Sequence, residues 1–189
     1  MTEKRLKVAA SRLFFALWPD DPLRESLRHS TRKAIRASGG RPVPPQNLHV
    51  TLAFLGSVAD ADRAGVAAAA VKVREPAFRF TLDELKVWPR AKTLVLAPGT
   101  ASAELARLYS QLWDGLEETG FAREARPFRP HVTLARKVAT PGKMTLAAPI
   151  EWRADAFALV RSITDPAGAQ YKVIRRWALQ GESPQGPGR

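Results

Sequence analysis

Apolar positions along the chain fall into short runs whose period changes from segment to segment. Leu13–Trp18 is apolar at consecutive positions, the pattern of a strand covered on both faces. Asp20 or Asp21 suits a helix cap with Pro22 in the first turn, and that helix runs to about Ser38, where Gly39-Gly40 ends it. Arg41–Asn47 (RPVPPQN) is too proline-rich for regular structure. Leu48–Leu55 reads as a strand stopped by Gly56. Residues 60–74 are Ala-rich behind an N-cap at Asp60 and predict a helix, and Phe78–Leu85 alternates as a strand does.

The order then starts again. Thr93–Ala97 is a short strand, followed by a turn at Pro98-Gly99-Thr100. Residues 102–119 place Leu105, Leu108, Leu112 and Leu116 at helical spacing, with Gly120 as the stop. Arg123–Pro130 (REARPFRP) is a basic, proline-bearing loop, and His131–Arg136 is a strand. Residues 137–152 read as a connection, and Ala154–Ile163 and Tyr171–Gln180 as two closing strands joined by a turn at Asp165-Pro166-Ala167-Gly168. Each half therefore runs strand, helix, proline-bearing loop and the string HVTLA. Two copies of one unit predict two lobes about a pseudo-twofold axis.

Composition narrows the partners. The chain has 189 residues, enough for one compact domain, and 45% hydrophobic positions allow a core. The formal net charge of +12 favours an anionic partner, of which a phosphate backbone is the common kind. With no cysteine, disulfides, zinc ribbons and thiol nucleophiles are excluded. Lys4, Arg5 and Lys7 precede an apolar run too short for a signal peptide, with Pro19-Asp20-Asp21 where small residues would be needed. No run approaches the ~20 apolar residues of a membrane span. The expectation is a cytoplasmic monomer with no membrane partner, a loose basic end over residues 1–11 and a disordered tail over 181–189.

Two of the three histidines open the repeated string, His49-Val50-Thr51-Leu52-Ala53 and His131-Val132-Thr133-Leu134-Ala135. On a strand, positions i and i+2 share a face. Each motif thus presents an imidazole beside a hydroxyl, while Val and Leu point into a core. Two such pairs across a cleft suit phosphodiester cleavage. One imidazole takes a proton from water and the other gives one to the leaving ribose oxygen, and the hydroxyls of Thr51 and Thr133 hold the phosphate oxygens. Free histidine titrates at about 6.5, so one charged and one neutral copy can coexist at pH 7. Two histidines without a carboxylate cluster fall short of a catalytic zinc site, so no metal and no cofactor are expected.

On these residues the chain resembles the two-histidine (2H) phosphoesterases, and among them the RNA 2′,3′-cyclic phosphodiesterases also called 2′-5′ RNA ligases. The resemblance covers about residues 12–180 and rests on RLFFALWP (12–19), NLHVTLAFLG (47–56), FRPHVTLAR (128–136) and YKVIRRWAL (171–179). It implies one bilobal α+β domain over 12–180, with antiparallel-rich sheets lining a central cleft and helices outside. It implies His49 as proton donor, His131 as proton acceptor and a 2′-phosphomonoester product. It also implies a reversible 2′-5′ ligase side activity. The expected substrate is RNA with a 2′,3′-cyclic phosphate end or a small cyclic nucleotide.

Arg136 closes the second motif as a candidate phosphate ligand. Strict alternation puts it opposite His131, so it enters the cleft only if the strand ends or bulges there, and is otherwise a solvated strand-end arginine. Phe128 and Arg129 are candidates to touch a base or phosphate. Phe14, Phe15, Phe54 and Trp88 either stack on bases or pack the core. His29 has no partner motif and no assigned function. Two other readings share the charge and the cleft: a non-catalytic nucleotide- or RNA-binding module, and an RNA ligase as the main activity.

Overall fold

A computed structural model describes residues 10–139, 144–165 and 168–179. The order is β1 (Ala10–Leu17), α1 (Asp21–Ala37), β2 (Arg41–Pro42), a 3-10 turn (Pro45–Asn47) and β3 (Val50–Ala59). A second 3-10 turn (Asp60–Asp62) leads into α2 (Arg63–Val71), then β4 (Phe78–Leu82), β5 (Glu84–Trp88) and β6 (Thr93–Ala97). The chain continues through α3 (Ala103–Glu117), β7 (Val132–Arg136), β8 (Ile150–Ala154), β9 (Ala156–Asp165) and β10 (Gly168–Ala178). The fold is α+β and its strand pairs are antiparallel.

The large sheet runs β10-β9-β1-β3-β7-β6-β5, with β2 added on β7, and β4 pairs β8 separately. Its two halves, β10-β9-β1-β3 and β7-β6-β5, join where Val50 pairs Val132. Each half pairs a first strand with a motif strand, β1 with β3 and β6 with β7. The helices are exchanged: α1 packs against β7 and β8, and α3 packs against β3 and α2. The exchange knits the halves into one core holding Leu13, Phe15, Leu27, Leu112, Trp113 and Trp152.

Local chemistry explains the helices. Asp20 caps α1 by accepting from the Leu23 amide at 2.9 Å, and its inner face buries Leu27, Thr31 and Ala34. Ser102 caps α3 in the same way, and Leu105, Leu108, Leu112 and Leu116 are buried as their spacing predicts.

Several boundaries differ from the sequence expectation. Ala10 and Ser11, assigned to a loose end, belong to β1. Gly56 does not stop the third strand. It takes φ +67, open to glycine at little cost, and sits at a register shift in the β1–β3 ladder, so the strand continues to Ala59. The run Phe78–Leu85 divides at Asp83 into strands of two different sheets. The helix expected over 60–74 begins as a 3-10 turn and is α-helical only over Arg63–Val71. The connection at 137–152 contains the start of β8, whose alternation of buried Ile150 and Trp152 with exposed Glu151 was legible. The Arg41–Asn47 segment holds a two-residue strand and a 3-10 turn. The residues of the expected turn at Pro166-Ala167 and the tail at 181–189 lie outside the described residues, as do residues 1–9.

Candidate active site

The two histidines stand just before their strands, at the residues preceding Val50 and Val132. Both line one cavity of about 420 Å³ that also takes in Thr51, Thr133 and Arg136. The structure thus brings together all five residues singled out by the repeated motif and its closing arginine.

Both imidazoles are oriented in the same way. His49 Nδ1 lies 2.7 Å from the Asn47 carbonyl, and His131 Nδ1 lies 2.7 Å from the Arg129 carbonyl. A carbonyl only accepts, so each Nδ1 carries a proton, and each Nε2 is left as the working nitrogen. His49 Nε2 lies 3.1 Å from Thr51 Oγ1. The carbonyl two residues upstream is fixed by the proline-rich segment: the Asn47 amide donates to Pro44 O at 2.8 Å, and its side chain donates to Ala169 O at 2.8 Å. These acceptors carry no side-chain signature, so residue-type reasoning did not find them.

Aromatic rings surround His49. Trp18 stacks on it at 5.5 Å with 14° between planes, Phe14 lies 5.0 Å away, and Tyr171 meets it edge-on at 5.4 Å. His131 meets the edge of Trp88 at 4.4 Å. Phe14 and Trp88 therefore belong to the site, whereas Phe15 is wholly core. Trp18 and Tyr171 were missed, though they lie in two of the segments that carry the resemblance. Phe128 stacks on Tyr109 at 4.1 Å and lines the groove beyond His131 together with Arg129. His29 is exposed on α1, away from the cavity.

Burial pushes His49 down to about 4; the Asn47 carbonyl acts in the opposite sense, and His131 and Arg136 add smaller contributions to the lowering. His131 is also lowered, again chiefly by burial and then by Arg136, against the Arg129 carbonyl. Burial thus favours the neutral form of both imidazoles, because a buried imidazolium loses its hydration.

Arg136 reaches the cavity through a bulge. In the β6–β7 ladder Leu94 faces Ala135 and Val95 faces Thr133, so Leu134 is passed over. Leu134 and Ala135 are both buried, and the alternation resumes with Arg136 on the side of Thr133. The first motif does the same: Phe15 faces Ala53 and Ala16 faces Thr51, passing over Leu52, and Phe54 turns into the cavity. The bulged residues' carbonyls are satisfied from the exchanged elements, Leu52 O by Trp113 Nε1 at 3.3 Å and Leu134 O by the Val43 amide at 2.8 Å. Phe54 is 43% exposed, with the Arg12 guanidinium over its ring at 5.6 Å.

An α+β fold that sets two imidazole–hydroxyl pairs and a guanidinium around one cavity is built for acid–base chemistry on an anion. The profile of the 2′-5′ RNA ligase superfamily matches residues 19–166, and the chain belongs to that family of two-histidine phosphoesterases. It is 32% identical over 171 residues to the RNA 2′,3′-cyclic phosphodiesterase of Escherichia coli (strain K12), covering 89% of this chain and 96% of that protein. It is 34% identical over 192 residues to the protein of the same name from Thermus thermophilus, covering 94% and 96%. The crystal structure of E. coli LigT complexed with 3′-AMP matches with a TM-score of 0.84 at 30% identity, over 92% of this chain and 100% of that one. No helix among the described residues is long and apolar enough to cross a membrane.

Proposed function

We propose that the chain is a phosphodiesterase that opens the 2′,3′-cyclic phosphate ends of RNA to 2′-phosphomonoesters. The observation that carries this reading is the pair of imidazoles, each locked through Nδ1 to a carbonyl and each turning Nε2 to one cavity with Arg136. The names of the relatives support the substrate class.

In the proposed reaction the cyclic phosphate lies between the two Nε2 atoms. His131 Nε2 takes a proton from water, and the water oxygen bonds to phosphorus. The bond from phosphorus to the ribose 3′-oxygen breaks, and that oxygen takes the proton from His49 Nε2. The aromatic enclosure of His49 suits the donor role, since an imidazolium held in apolar surroundings gives up its proton readily. Its charge arrives with the substrate: the phosphate anion offsets the lost hydration and draws a proton onto the pair. Thr51 and Thr133 donate to the non-bridging oxygens, and Arg136 stabilises the charge that develops on them. With a 5′-hydroxyl in place of water, the same sequence forms a 2′-5′ bond: its oxygen bonds to phosphorus, its proton goes to His131 Nε2, and the ribose 3′-oxygen leaves with the proton from His49. An RNA substrate fits an activity in the cytoplasm.

The test is hydrolysis of an RNA oligomer ending in a 2′,3′-cyclic phosphate, with EDTA present and the product identified. A 2′-phosphate is expected. His49→Ala and His131→Ala should each lose about 10²-fold or more in kcat. Full activity in either variant would remove the mechanism.

A further inference from the structure

One polar group in the wall of the cavity that the two histidines line has no part in the reaction proposed above. Thr93 opens β6 and borders the cavity with His131, Thr133 and Arg136, outside both HVTLA strings. It is 6% exposed, and its hydroxyl oxygen is shut off from solvent and meets no hydrogen-bond partner among the described residues.

Such a group is unfavourable in an empty site. Valine would fill the same volume and suits a strand as well, without leaving a buried hydroxyl unpaired. A partner that turns to it when substrate binds accounts for the hydroxyl. Because the oxygen is enclosed, that partner is a side chain of the wall and not the substrate itself.

The strand ladders narrow the choice. Thr93 stands opposite Trp88 in the β5–β6 pair and opposite Arg136 in the β6–β7 pair, and Arg41 faces Arg136 from β2. Directly opposed residues share a face of the sheet, so Trp88, Thr93, Arg136 and Arg41 form one row across four strands. The approach of β2 needs Gly40, where a Cβ would meet Arg136 O at 2.9 Å and the Val138 side chain at 2.8 Å. Arg41 carries donors only, and like charges facing across a ladder repel. Of the two residues facing Arg136, only Thr93 therefore offers its side chain as an acceptor. Trp88 also carries a donor, but its ring lies against His131 at 4.4 Å. A guanidinium is a planar fork, so a bond at one edge aims the other.

Resting on the reading of the cavity above, we propose that Thr93 is a positioning residue: in the loaded site its hydroxyl accepts a hydrogen bond from the Arg136 guanidinium and so holds the opposite edge of that group on the phosphate oxygens.

The experiment measures kcat and KM on a 2′,3′-cyclic mononucleotide, and the Tm of the free protein, for Thr93→Val and Thr93→Ser. Valine should lower kcat about tenfold with KM little changed, because Arg136 acts on charge that develops in the reaction. Its Tm should be equal to the wild type or higher, since an unpaired buried hydroxyl is gone. Serine keeps the hydroxyl and should keep most of the rate. In an Arg136→Met background, Thr93→Val should have no further effect on kcat. Unchanged kcat in Thr93→Val would overturn the proposal. So would the same loss in both backgrounds, which would free the hydroxyl's role from Arg136, or a lower Tm, which would make Thr93 a prop of the empty fold. Should no cyclic substrate be opened at all, the phosphodiesterase reading fails on its own. Calorimetric titration with adenosine 2′-phosphate, whose dianion carries the charge in question, still reads the contact: severalfold weaker binding in Thr93→Val supports it and unchanged binding overturns it.

Discussion

Phe54 and Arg136 occupy the same place in the two repeats, five residues past each motif histidine, and both are turned by a bulge at the preceding leucine into the cavity that the two histidines line. The two repeats thus differ at one pair of equivalent positions. One wing offers an aromatic face beneath a guanidinium, and the other offers a guanidinium of its own. The first suits a base and the second a phosphate.

This asymmetry predicts different kinetic signatures. Arg136→Gln should lower kcat by about 10²–10³-fold, as loss of a donor to the developing charge does. Phe54→Ala should act mainly through KM, raising it about tenfold, because stacking holds substrate and transition state alike. Steady-state kinetics on a cyclic mononucleotide separate the two, and a kcat collapse in Phe54→Ala would contradict the division.

The enclosure of His49 predicts a pH effect. Burial is the main reason its titration lies at about 4, and Trp18 stacks on the ring. Trp18→Ser admits water and should raise the titration of His49 toward the ordinary value. The alkaline limb of kcat/KM should then move to higher pH in the variant, and the apparent values belong to the coupled pair of histidines. An unmoved profile would show that Trp18 does not tune the site.

The same burial sets an acid weakness in the fold. His49 is neutral in folded and unfolded chains above about pH 6.5, so it contributes nothing to the pH dependence there. Between about 6.5 and 4 the unfolded chain binds the proton first, and stability falls with pH. The full penalty is about 3 kcal/mol, reached below the folded-state value. His131 acts in the same direction. Tm measured from pH 7 to pH 4 should decline, and His49→Gln should flatten part of that decline.

Trp113 supports the first bulge from a distance. Its indole donates to Leu52 O, and the ring is almost wholly buried. Trp113→Phe strands that carbonyl and should cost about 1–3 kcal/mol, visible as a lower Tm. Because the bulge aims Phe54, KM should rise along with it.

Much of the chemistry was legible in the residues alone. The repeated HVTLA string located the imidazole–hydroxyl pairs, since side-chain alternation on a strand is a local property of the backbone. Capping residues and leucine spacing located α1 and α3 for the same reason. Strand limits were less legible. Gly56 reads as a stop, yet a glycine with positive φ can equally serve a bulge, and the β1 partner decides which.

What tertiary structure alone decided are the features made by segments far apart in sequence. Leu134 is passed over because β6 sets the register, and that puts Arg136 in the cavity. Trp18, Phe14 and Tyr171 converge on His49 because β1 and β10 belong to the same sheet as β3, and the burial of the imidazole there lowers its titration. Arg41 faces Arg136 because Gly40 lets β2 approach β7. Residue types and their periods are carried by each short stretch of chain. Register, burial and charge opposition depend on which distant stretch lies alongside, and only the folded arrangement supplies that.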